Sequence, residues 1–414
     1  MDRAPPRILP GAILVVWAIL LASITLTPGP RAQWWNVVEH WCVVCGSRGA
    51  ADAVLNVVLF LPLGALLRAY LPPLRTLGVG LLLSTAIELA QWFIPGRFPT
   101  LGDVIWNATG VGVGLALAVL LRREFGRPLP SVRALALVLA LPFVYLTASG
   151  WLLAPRETDE TYFGQWTPAL GFMPRYRGAV VAARSSVGPV PDGRWPAGAR
   201  LRQEDADGWW LEAVVEVGPA PEAVSPVVAV ADGLRQEILL LGIMDDDLVW
   251  RERTWANALL FDRPDHRIRG GLRDYAPGDT VTLAVRADGA GRCLRVDGEE
   301  VCGLGVSPGR TWGMLMYLEG ASRRERRMLD VAWMATLFLL LGLVGGARWR
   351  TVGLTLVAVV LVGIATGMTR LLAPGPLDLM GLVLGVAAGV LLRGPVRLVL
   401  GREGEGGGVG RPFQ

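Results

Sequence analysis

Long apolar runs alternate with short polar or arginine-bearing loops over most of this chain. The runs predict eight membrane-spanning helices, because each is long enough to cross a hydrocarbon core about 30 Å thick. They cover approximately Ile8–Leu26, Ala51–Leu71, Thr76–Ile94, Leu101–Leu121, Val132–Ala154, Val331–Gly346, Val352–Leu372 and Pro376–Leu392. The first run could instead be a signal peptide, but its length and the lack of a small-residue cleavage site favour a retained span.

A different pattern occupies the chain between Pro155 and Arg327. Short runs of β-type residues are separated there by Gly, Pro and Asp, which is typical of strands and turns. The clearest predicted strands are Trp209–Val217, Val227–Ala231, Glu237–Ile243, Thr280–Arg286 and a hairpin over Cys293–Cys302. Alternation within Thr280–Arg286 indicates a sheet with one buried face. We therefore predict a β-sandwich in this segment.

These patterns divide the chain into four parts. Residues 1–154 hold five spans, residues 155–328 the sandwich, and residues 329–400 three further spans. Residues 401–414 are predicted to be a disordered cytoplasmic tail. The predicted fold class is a multi-pass α-helical membrane protein of about eight spans with an extracytoplasmic all-β domain.

The composition agrees with a membrane protein. Hydrophobic residues make up 52% of the chain and charged residues only 18%, which is low for a soluble protein. The formal net charge is +4, but no dense basic run with interleaved aromatics occurs, so we expect no nucleic-acid partner. Membrane lipids are the expected partners, and we predict no cofactor.

Arginines in the short loops predict the orientation. Basic residues accumulate on the cytoplasmic side of a membrane. That side holds most of the loop arginines if both termini are cytoplasmic, namely Arg3, Arg7, Arg68, Arg75, Arg122, Arg123, Arg127, Arg133, Arg348, Arg350, Arg393, Arg397 and Arg402. We therefore predict a protein of the cell (inner) membrane whose residues 155–328 are extracytoplasmic.

The four cysteines fall into two close pairs. An Asp-Gly turn in the late hairpin places Cys293 opposite Cys302 at a non-hydrogen-bonded position, which suits a cross-strand disulfide. For Cys42 and Cys45 a local disulfide and free thiols are equal alternatives. We expect no metal site, since there is no second CxxC and the chain has only two histidines.

The acidic run Asp245–Asp247 could join a calcium site. A single acidic run does not supply a full coordination shell, so we favour a solvated turn.

Polar side chains interrupt the second, third and fourth spans. Asn56, Glu88 and Asn107 lie five or six residues inside the outer ends of their spans, so at 1.5 Å per residue they should meet about 8 to 9 Å below the surface. An acid within a span costs about 2.5 to 3.5 kcal/mol, whereas one interhelical hydrogen bond returns about 0.6 kcal/mol. We therefore favour an outward-facing pocket over a purely structural cluster. Its predicted residues are Asn56, Glu88, Gln91, Arg97, Asp103 and Asn107, with Arg97 and Asp103 at the mouth.

These residues closely resemble the VanZ-like family of membrane proteins. The family's pattern appears as Thr25-Leu26-Thr27-Pro28, Asn56 with Phe60-Leu61-Pro62-Leu63-Gly64, Glu88 with Gln91, Arg97, Asp103, Asn107 and Gly110, within about Ile8 to Arg123. The family is named for a protein that confers resistance to the glycopeptide teicoplanin. The resemblance implies an envelope membrane protein with a link to antibiotic resistance.

The sandwich segment resembles LamG or concanavalin A-like jelly rolls. The resemblance lies in Trp209–Val217 and above all in Thr280–Val301, which contains the Val-Asp-Gly hairpin turn. Such domains often bind glycans or proteins, so the resemblance implies an envelope ligand.

The last three spans weakly repeat the second to fourth. Leu337–Gly342 matches Leu59–Gly64 at five of six positions. Asp378, Gly385 and Gly389 have the spacing of Asp103, Gly110 and Gly114, while Met334, Gly363 and Leu382 stand where Asn56, Glu88 and Asn107 do. We predict a degenerate duplicate that packs against the first copy; chance similarity between Leu- and Gly-rich helices is the alternative.

Three functions remain in competition. The favoured one is a non-enzymatic envelope protein whose sandwich binds a glycan or protein and whose pocket binds a lipid-linked or glycopeptide-type ligand. An intramembrane enzyme would use Glu88 or Asp103 as acid or base and Arg97 to hold phosphate. It ranks lower because the sequence shows no nucleophile–base pair or metal cluster. A transporter is the third, since parallel repeats and buried acids also occur there.

Overall fold

The computed structural model describes residues 8–28, 40–125, 127, 129–156, 162–171, 173–200, 208–233, 236–288, 291–316, 318, 321–346 and 348–400. The helices are α1 (Ile8–Thr25), α2 (Gly49–Leu67), α3 (Pro73–Gln91), α4 (Leu101–Phe125), α5 (Val132–Leu152), α6 (Trp255–Ala258), α7 (Arg323–Gly345), α8 (Arg348–Gly367) and α9 (Pro376–Leu400). The predicted tail 401–414, Arg3, Arg7 and Arg402 lie outside the described residues.

Seven of the described helices, α2–α5 and α7–α9, are long and apolar enough to cross a membrane, and α1 contributes a shorter apolar helix over Gly11–Thr25. The protein is therefore a multi-pass membrane protein. The main difference from the prediction is at α7, which begins at Arg323 rather than Val331. A capping box explains the early start: the Ser322 hydroxyl accepts from the Glu325 N–H, and the Glu325 carboxylate accepts from the Ser322 N–H.

The segment between α5 and α7 folds into two six-stranded antiparallel sheets. Its strands are β1 (Tyr162–Trp166), β2 (Ala179–Ser185), β3 (Gly188–Pro189), β4 (Gly193–Trp195), β5 (Trp209–Glu216), β6 (Ser225–Ala231), β7 (Glu237–Met244), β8 (Asp247–Glu252), β9 (His266–Ile268), β10 (Thr280–Asp288), β11 (Gly291–Val296) and β12 (Glu299–Leu304). The sheet orders are β4-β1-β6-β7-β8-β9 and β12-β11-β10-β5-β2-β3. Trp209 of one sheet and Trp250 of the other meet in the shared core, with ring centroids 5.4 Å apart. The predicted β-sandwich is confirmed.

The late hairpin has the predicted two-residue turn. Val296 pairs with Glu299 across it, and a bulge follows Leu294 towards Arg292. Both cysteine pairs form disulfides, Cys293 with Cys302 and Cys42 with Cys45.

The sandwich rests on one end of the helical bundle. The backbone N–H groups of Ala50 and Ala51, at the start of α2, donate to the carbonyl of Leu260 at 3.2 and 3.4 Å. Arg48 forms an ion pair with Asp262 at 2.7 Å. Burial raises the pKa of the Asp262 carboxyl, and Arg48 opposes that rise. We call this end of the bundle the sandwich side.

Helix α2 contacts α4, and helix α7 contacts α9. The two contacts have the same register. A Cβ added to Gly64 would lie 2.1 Å from the Val111 carbonyl oxygen, and one added to Gly342 would lie 2.0 Å from that of Val386. The glycines of the facing helices behave alike: Gly110 and Gly114 approach the carbonyls of Val57 and Leu61, and Gly385 and Gly389 those of Ala335 and Leu339. Each position in one pair corresponds to its counterpart in the alignment of the predicted repeat.

The third helices of the two units pack differently. α3 packs mainly on α4, whereas α8 packs on α5 as well as α7 and α9. The similarity of register therefore concerns the two helix pairs.

Candidate functional site

Asp103 lies at the centre of the polar residues on the sandwich side of α2, α3 and α4. Its Oδ1 accepts from the side-chain amide of Asn56 at 2.7 Å, and its Oδ2 accepts from the Thr100 hydroxyl at 2.7 Å. The Asp103 N–H in turn donates to the Thr100 hydroxyl at 3.2 Å. Since Asp103 occupies the first turn of α4, its carboxylate also faces the positive end of the helix dipole.

Glu88 and Asn107 form a deeper, more enclosed layer. Their side chains are buried, with exposed fractions of 7% and 2%. The Thr100 backbone N–H bonds to the Glu88 carboxyl, and the Asn107 amide donates to the Ser84 hydroxyl at 3.0 Å. Within the described residues, Glu88 Oε2 and Asn107 Oδ1 have no hydrogen-bond partner. Unpaired buried acceptors cost about 1 to 3 kcal/mol each.

Gln91 and Arg97 bond to α1 rather than to the acids. Gln91 donates to the carbonyl of Thr25 at 3.0 Å. Arg97 donates to the carbonyls of Ile24 and Thr27, at 2.6 and 2.8 Å. These carbonyls belong to the last turn of α1 and the residues after it, which lack partners within the helix. The structure thus places the Arg97 guanidinium at the end of α1.

A cavity of about 190 Å³ opens at the rim of this cluster. Asp52 and Asp103 line it together with the aromatic rings of Phe98 and Trp106 and the disulfide loop at Cys45. The loop is held in place by two bonds, from the Trp106 indole to the Val43 carbonyl at 2.9 Å and from the Gly102 N–H to the Cys42 carbonyl at 3.0 Å. We call this space the rim cavity.

The predicted residues therefore fall into three groups: one at the rim, one beneath it, and one in contact with α1. Asp103 and Asn56 meet at the rim, Glu88 and Asn107 lie beneath, and Gln91 and Arg97 connect to α1. The predicted pocket did not include Asp52, Thr100, Phe98 or Trp106, which line the rim cavity. The spacing of Thr100 three residues before Asp103, at the start of an apolar helix, is a capping signal that could have identified it. The aromatic rings carry no such local signal.

The α7–α9 pair keeps acids at the positions of Asp52 and Asp103, and both receive donors from the segment that precedes α7. Asp378, the counterpart of Asp103, accepts from the Gly309 N–H at 2.7 Å and from the Ser307 hydroxyl at 3.2 Å. Asp330, the counterpart of Asp52, accepts from the Trp312 indole at 2.8 Å. The donors belong to a 3-10 helix, Pro308–Met314, and to the residue before it. Asp330 and Asp378 are both buried.

The acidic run at Asp245–Asp247 forms the tight turn between β7 and β8. Asp246 pairs with Arg273 at 3.1 Å. Asp247 accepts from the Gly270 N–H at 2.9 Å and lies 3.7 Å from Arg267. Two of its three carboxylates are therefore paired with protein donors.

Comparison with known proteins identifies the part of the chain that contains these layers. Residues 14–122 match the family model described as VanZ/LLP1. No curated protein and no solved structure matches the chain. The matched segment extends from within α1 to near the end of α4 and includes every residue of the rim and of the layer beneath it. This membrane protein therefore carries a VanZ-like domain, formed by residues 14–122, beside its β-sandwich.

Proposed function

We propose that this VanZ-type membrane protein of the cell envelope binds the sugar headgroup of an envelope ligand in its rim cavity, without catalysing a reaction on it. The observation that carries the proposal is that Asp52 and Asp103 line the same open cavity as two aromatic rings. Beneath them lies a buried carboxylate with an unpartnered oxygen, Glu88 Oε2, within the described residues.

The chemistry of the lining favours a ligand with hydroxyl or ammonium groups. None of the described residues that line the rim cavity is basic. Carboxylates accept hydrogen bonds from hydroxyl and ammonium donors, while the ring of Trp106 or Phe98 offers an apolar face. A phosphate at this position would meet two carboxyl groups and no basic side chain among the described lining residues, and is disfavoured.

The size of the cavity limits what it can hold. Pockets for drug-sized ligands enclose about 300 to 1,000 Å³, and the rim cavity encloses about 190 Å³. It fits one headgroup unit of a glycolipid or lipid-linked saccharide, not a whole glycopeptide. Any contribution to teicoplanin resistance would thus come from binding an envelope component.

The second helix pair supports assigning the ligand to the first. The acids Asp330 and Asp378 receive donors from Trp312 and from Ser307 and Gly309 of the same chain. Their counterparts Asp52 and Asp103 both border the open rim cavity, although Asp103 also accepts from Asn56 and Thr100. We infer that α7 and α9 are a degenerate duplicate with a structural role.

The proposed orientation places the sandwich and the rim cavity outside the cytoplasm. The end of the bundle opposite the sandwich carries Arg68, Arg75, Arg122 and Arg123, and Arg122 donates to the Arg68 carbonyl at 3.1 Å. Such an arginine-rich end is typical of the cytoplasmic side. Two disulfides on the other side fit an oxidising compartment. The sandwich, which resembles LamG domains, would contact glycan or protein partners there.

Binding of a neutral glycolipid tests the proposal. The full chain is titrated with diglucosyl diacylglycerol or with diacylglycerol of the same acyl chains, and bound lipid is counted by native mass spectrometry. We expect about tenfold tighter binding of the glycolipid, which corresponds to about 1.4 kcal/mol. Asp52→Asn should remove most of this preference, and Asp274→Asn, an exposed acid of the sandwich, should leave it unchanged. Equal binding of both lipids by the wild-type chain would contradict headgroup recognition.

A separate experiment tests the link to glycopeptides. Cells expressing the wild-type chain should be less susceptible to teicoplanin than cells carrying an empty vector, and Glu88→Gln should abolish the difference at equal membrane abundance. Asp274→Asn is again the matched control. If the wild-type chain does not change susceptibility to teicoplanin, the proposed link to resistance is wrong. The glycolipid titration tests headgroup binding independently of that result.

A further inference from the structure

An arginine-lined cavity of about 410 Å³ lies where the sandwich meets the start of α7. Three separate parts of the chain supply its five arginines: β9 and the turn after it, the 3-10 helix before α7, and the first turn of α7. These residues are Arg267, Arg269, Arg310, Arg323 and Arg326. The only acid among the described lining residues is Asp265. We call this space the arginine cavity.

Asp265 does not neutralise the cavity, because its charge is already shared. Its carboxylate pairs with Arg251 at 2.6 Å and with Arg267 at 2.7 Å. Although burial opposes ionisation, these two arginines lower the pKa of Asp265 to about 2. The acid is therefore ionised near neutral pH but balances only part of the charge around it.

The remaining arginines are either held in place by the chain or open to a ligand. Arg326 donates to the carbonyls of Ala321 and Leu318, at 3.0 and 2.7 Å, and Arg310 lies 3.9 Å from Asp330. Arg269 and Arg323 are exposed, and the described part of the chain gives their guanidinium groups no hydrogen bond or ion pair. Guanidinium groups bind phosphate oxygens with two parallel hydrogen bonds. The cavity therefore offers donors at fixed and at adjustable positions.

An apolar groove adjoins the cavity at Arg323 and lies on the membrane-spanning surface. The groove encloses about 680 Å³ between α7 and α9, and Arg323 lines both spaces. Below its arginine rim the groove is lined by Met328, Val331, Ala332, Ala335, Leu377, Met380 and Leu384. Both helices belong to those that can span a membrane. A charged site thus shares Arg323 with a surface that suits a hydrocarbon chain.

The charge at this end of α7 also runs against the usual membrane pattern. Arg323, Arg324, Arg326 and Arg327 flank the span on the sandwich side. Under the proposed orientation this side is extracytoplasmic, where basic residues beside spans are normally depleted. A bound anion on that side would explain the excess.

We propose that a phosphate-bearing membrane lipid binds here, with its phosphate in the arginine cavity and one hydrocarbon chain in the groove between α7 and α9. The site is separate from the rim cavity and has the opposite charge, so the lipid is a second ligand. Its role does not depend on the proposed binding of a sugar headgroup.

Competing lipids of matched chain length test the site. The full chain is titrated with phosphatidylglycerol or phosphatidylcholine, and occupancy is measured by native mass spectrometry. We expect phosphatidylglycerol to bind about tenfold more tightly, because its phosphate carries no compensating ammonium group. Arg269→Gln with Arg323→Gln should remove this preference. The matched control, Arg184→Gln with Arg194→Gln, changes two exposed arginines of the sandwich away from the cavity and should preserve it.

Two further arms distinguish a lipid from a free anion. Met328→Gln with Leu384→Gln makes the groove polar at two exposed positions and should weaken phosphatidylglycerol binding while leaving the headgroup preference in place. Inorganic phosphate at millimolar concentration should compete poorly, since it gains nothing from the groove. Full displacement by inorganic phosphate would overturn the lipid assignment. Equal binding of both lipids, or an unchanged preference in the Arg269 and Arg323 variant at unchanged thermal stability, would overturn the site.

Discussion

The side-chain amide of Asn56 donates to Oδ1 of Asp103 at 2.7 Å, and this bond joins α2 to α4 at the rim cavity. In the second helix pair Met334 stands in place of Asn56, and the backbone N–H of Gly309 donates to Asp378 Oδ1 instead. The carboxylate at this position thus accepts from a neighbouring helix in the first pair. In the second pair it accepts from the 3-10 helix that precedes α7. The rim beside Asp52 and Asp103 stays open as a cavity, whereas the segment at Gly309 contacts Asp378 in the second pair.

A double-mutant cycle measures what the Asn56 bond contributes. Asn56→Ala and Asp103→Ala should each lower the thermal stability of the full chain in detergent. Their coupling energy should be about 0.6 kcal/mol, the average for interhelical hydrogen bonds in membranes, and at most about 2 kcal/mol. Strict additivity of the two substitutions would show that the bond adds nothing to stability.

The close helix contacts predict a large effect of adding one methyl group. Gly64→Ala and Gly342→Ala would each place a Cβ about 2 Å from a facing carbonyl oxygen. Because backbone atoms cannot move aside cheaply, we expect a loss of about 1 to 3 kcal/mol, measured by thermal unfolding in detergent.

Gly353→Ala provides the control for the glycine substitutions. An added Cβ at this position of α8 meets no heavy atom within 4 Å. Alanine is also the better helix former, so the variant should be as stable as the wild-type chain or slightly more stable. Equal losses at Gly64 and Gly353 would contradict the importance of the close contact.

The sandwich should lose stability as the pH falls from about 6.5 to about 4. Burial, followed by the charge of Arg292, lowers the pKa of His266 from 6.5 to about 4. In this range the imidazole of His266 is protonated in the unfolded chain and neutral in the folded chain. Lowering the pH therefore reduces the free energy of unfolding by up to about 3 kcal/mol. Asp265, with a pKa of about 2, adds its own loss only below about pH 4.

His266→Gln isolates that contribution. Hydrogen exchange of peptides from β8 and β9 measures this effect. In the wild-type chain their protection, corrected for the intrinsic effect of pH, should fall between pH 7 and pH 5. The variant should show a much smaller change. Parallel pH profiles of the two chains would show that His266 does not cause the loss of protection.

Cysteine accessibility in intact cells tests the proposed orientation. If the sandwich side is extracytoplasmic, all four cysteines are oxidised. A membrane-impermeant maleimide should label them only after treatment with an impermeant reductant. Cys293→Ser with Cys302→Ser should halve the labelling and leave the pair at Cys42 and Cys45. Labelling that requires permeabilised cells, without reductant, would place this side in the cytoplasm.

Local patterns were sufficient to predict most elements of the fold. The apolar runs predicted every described long helix, because the length of a span is dictated by the thickness of the bilayer. The Asp-Gly turn predicted the register that joins Cys293 to Cys302, because a two-residue hairpin leaves few alternatives. Strands β1 to β4, β8 and β9 were not predicted. β1 and β2 pair mainly with strands far along the chain, and β3, β4 and β9 have only two or three residues, so little in the local pattern marks these five strands.

For the site, the sequence identified the polar residues of the VanZ-like helices and predicted that they lie near one end of the bundle. It could not determine their partners. The direction of the Arg97 guanidinium towards α1, the enclosure of Glu88, and the opening beside Asp52 all depend on how separate helices meet. The arginine cavity is the clearest case, since its residues come from three segments with no shared motif. Side-chain periodicity is a property of one element, whereas a cavity is the space left between several, and only tertiary packing decides that.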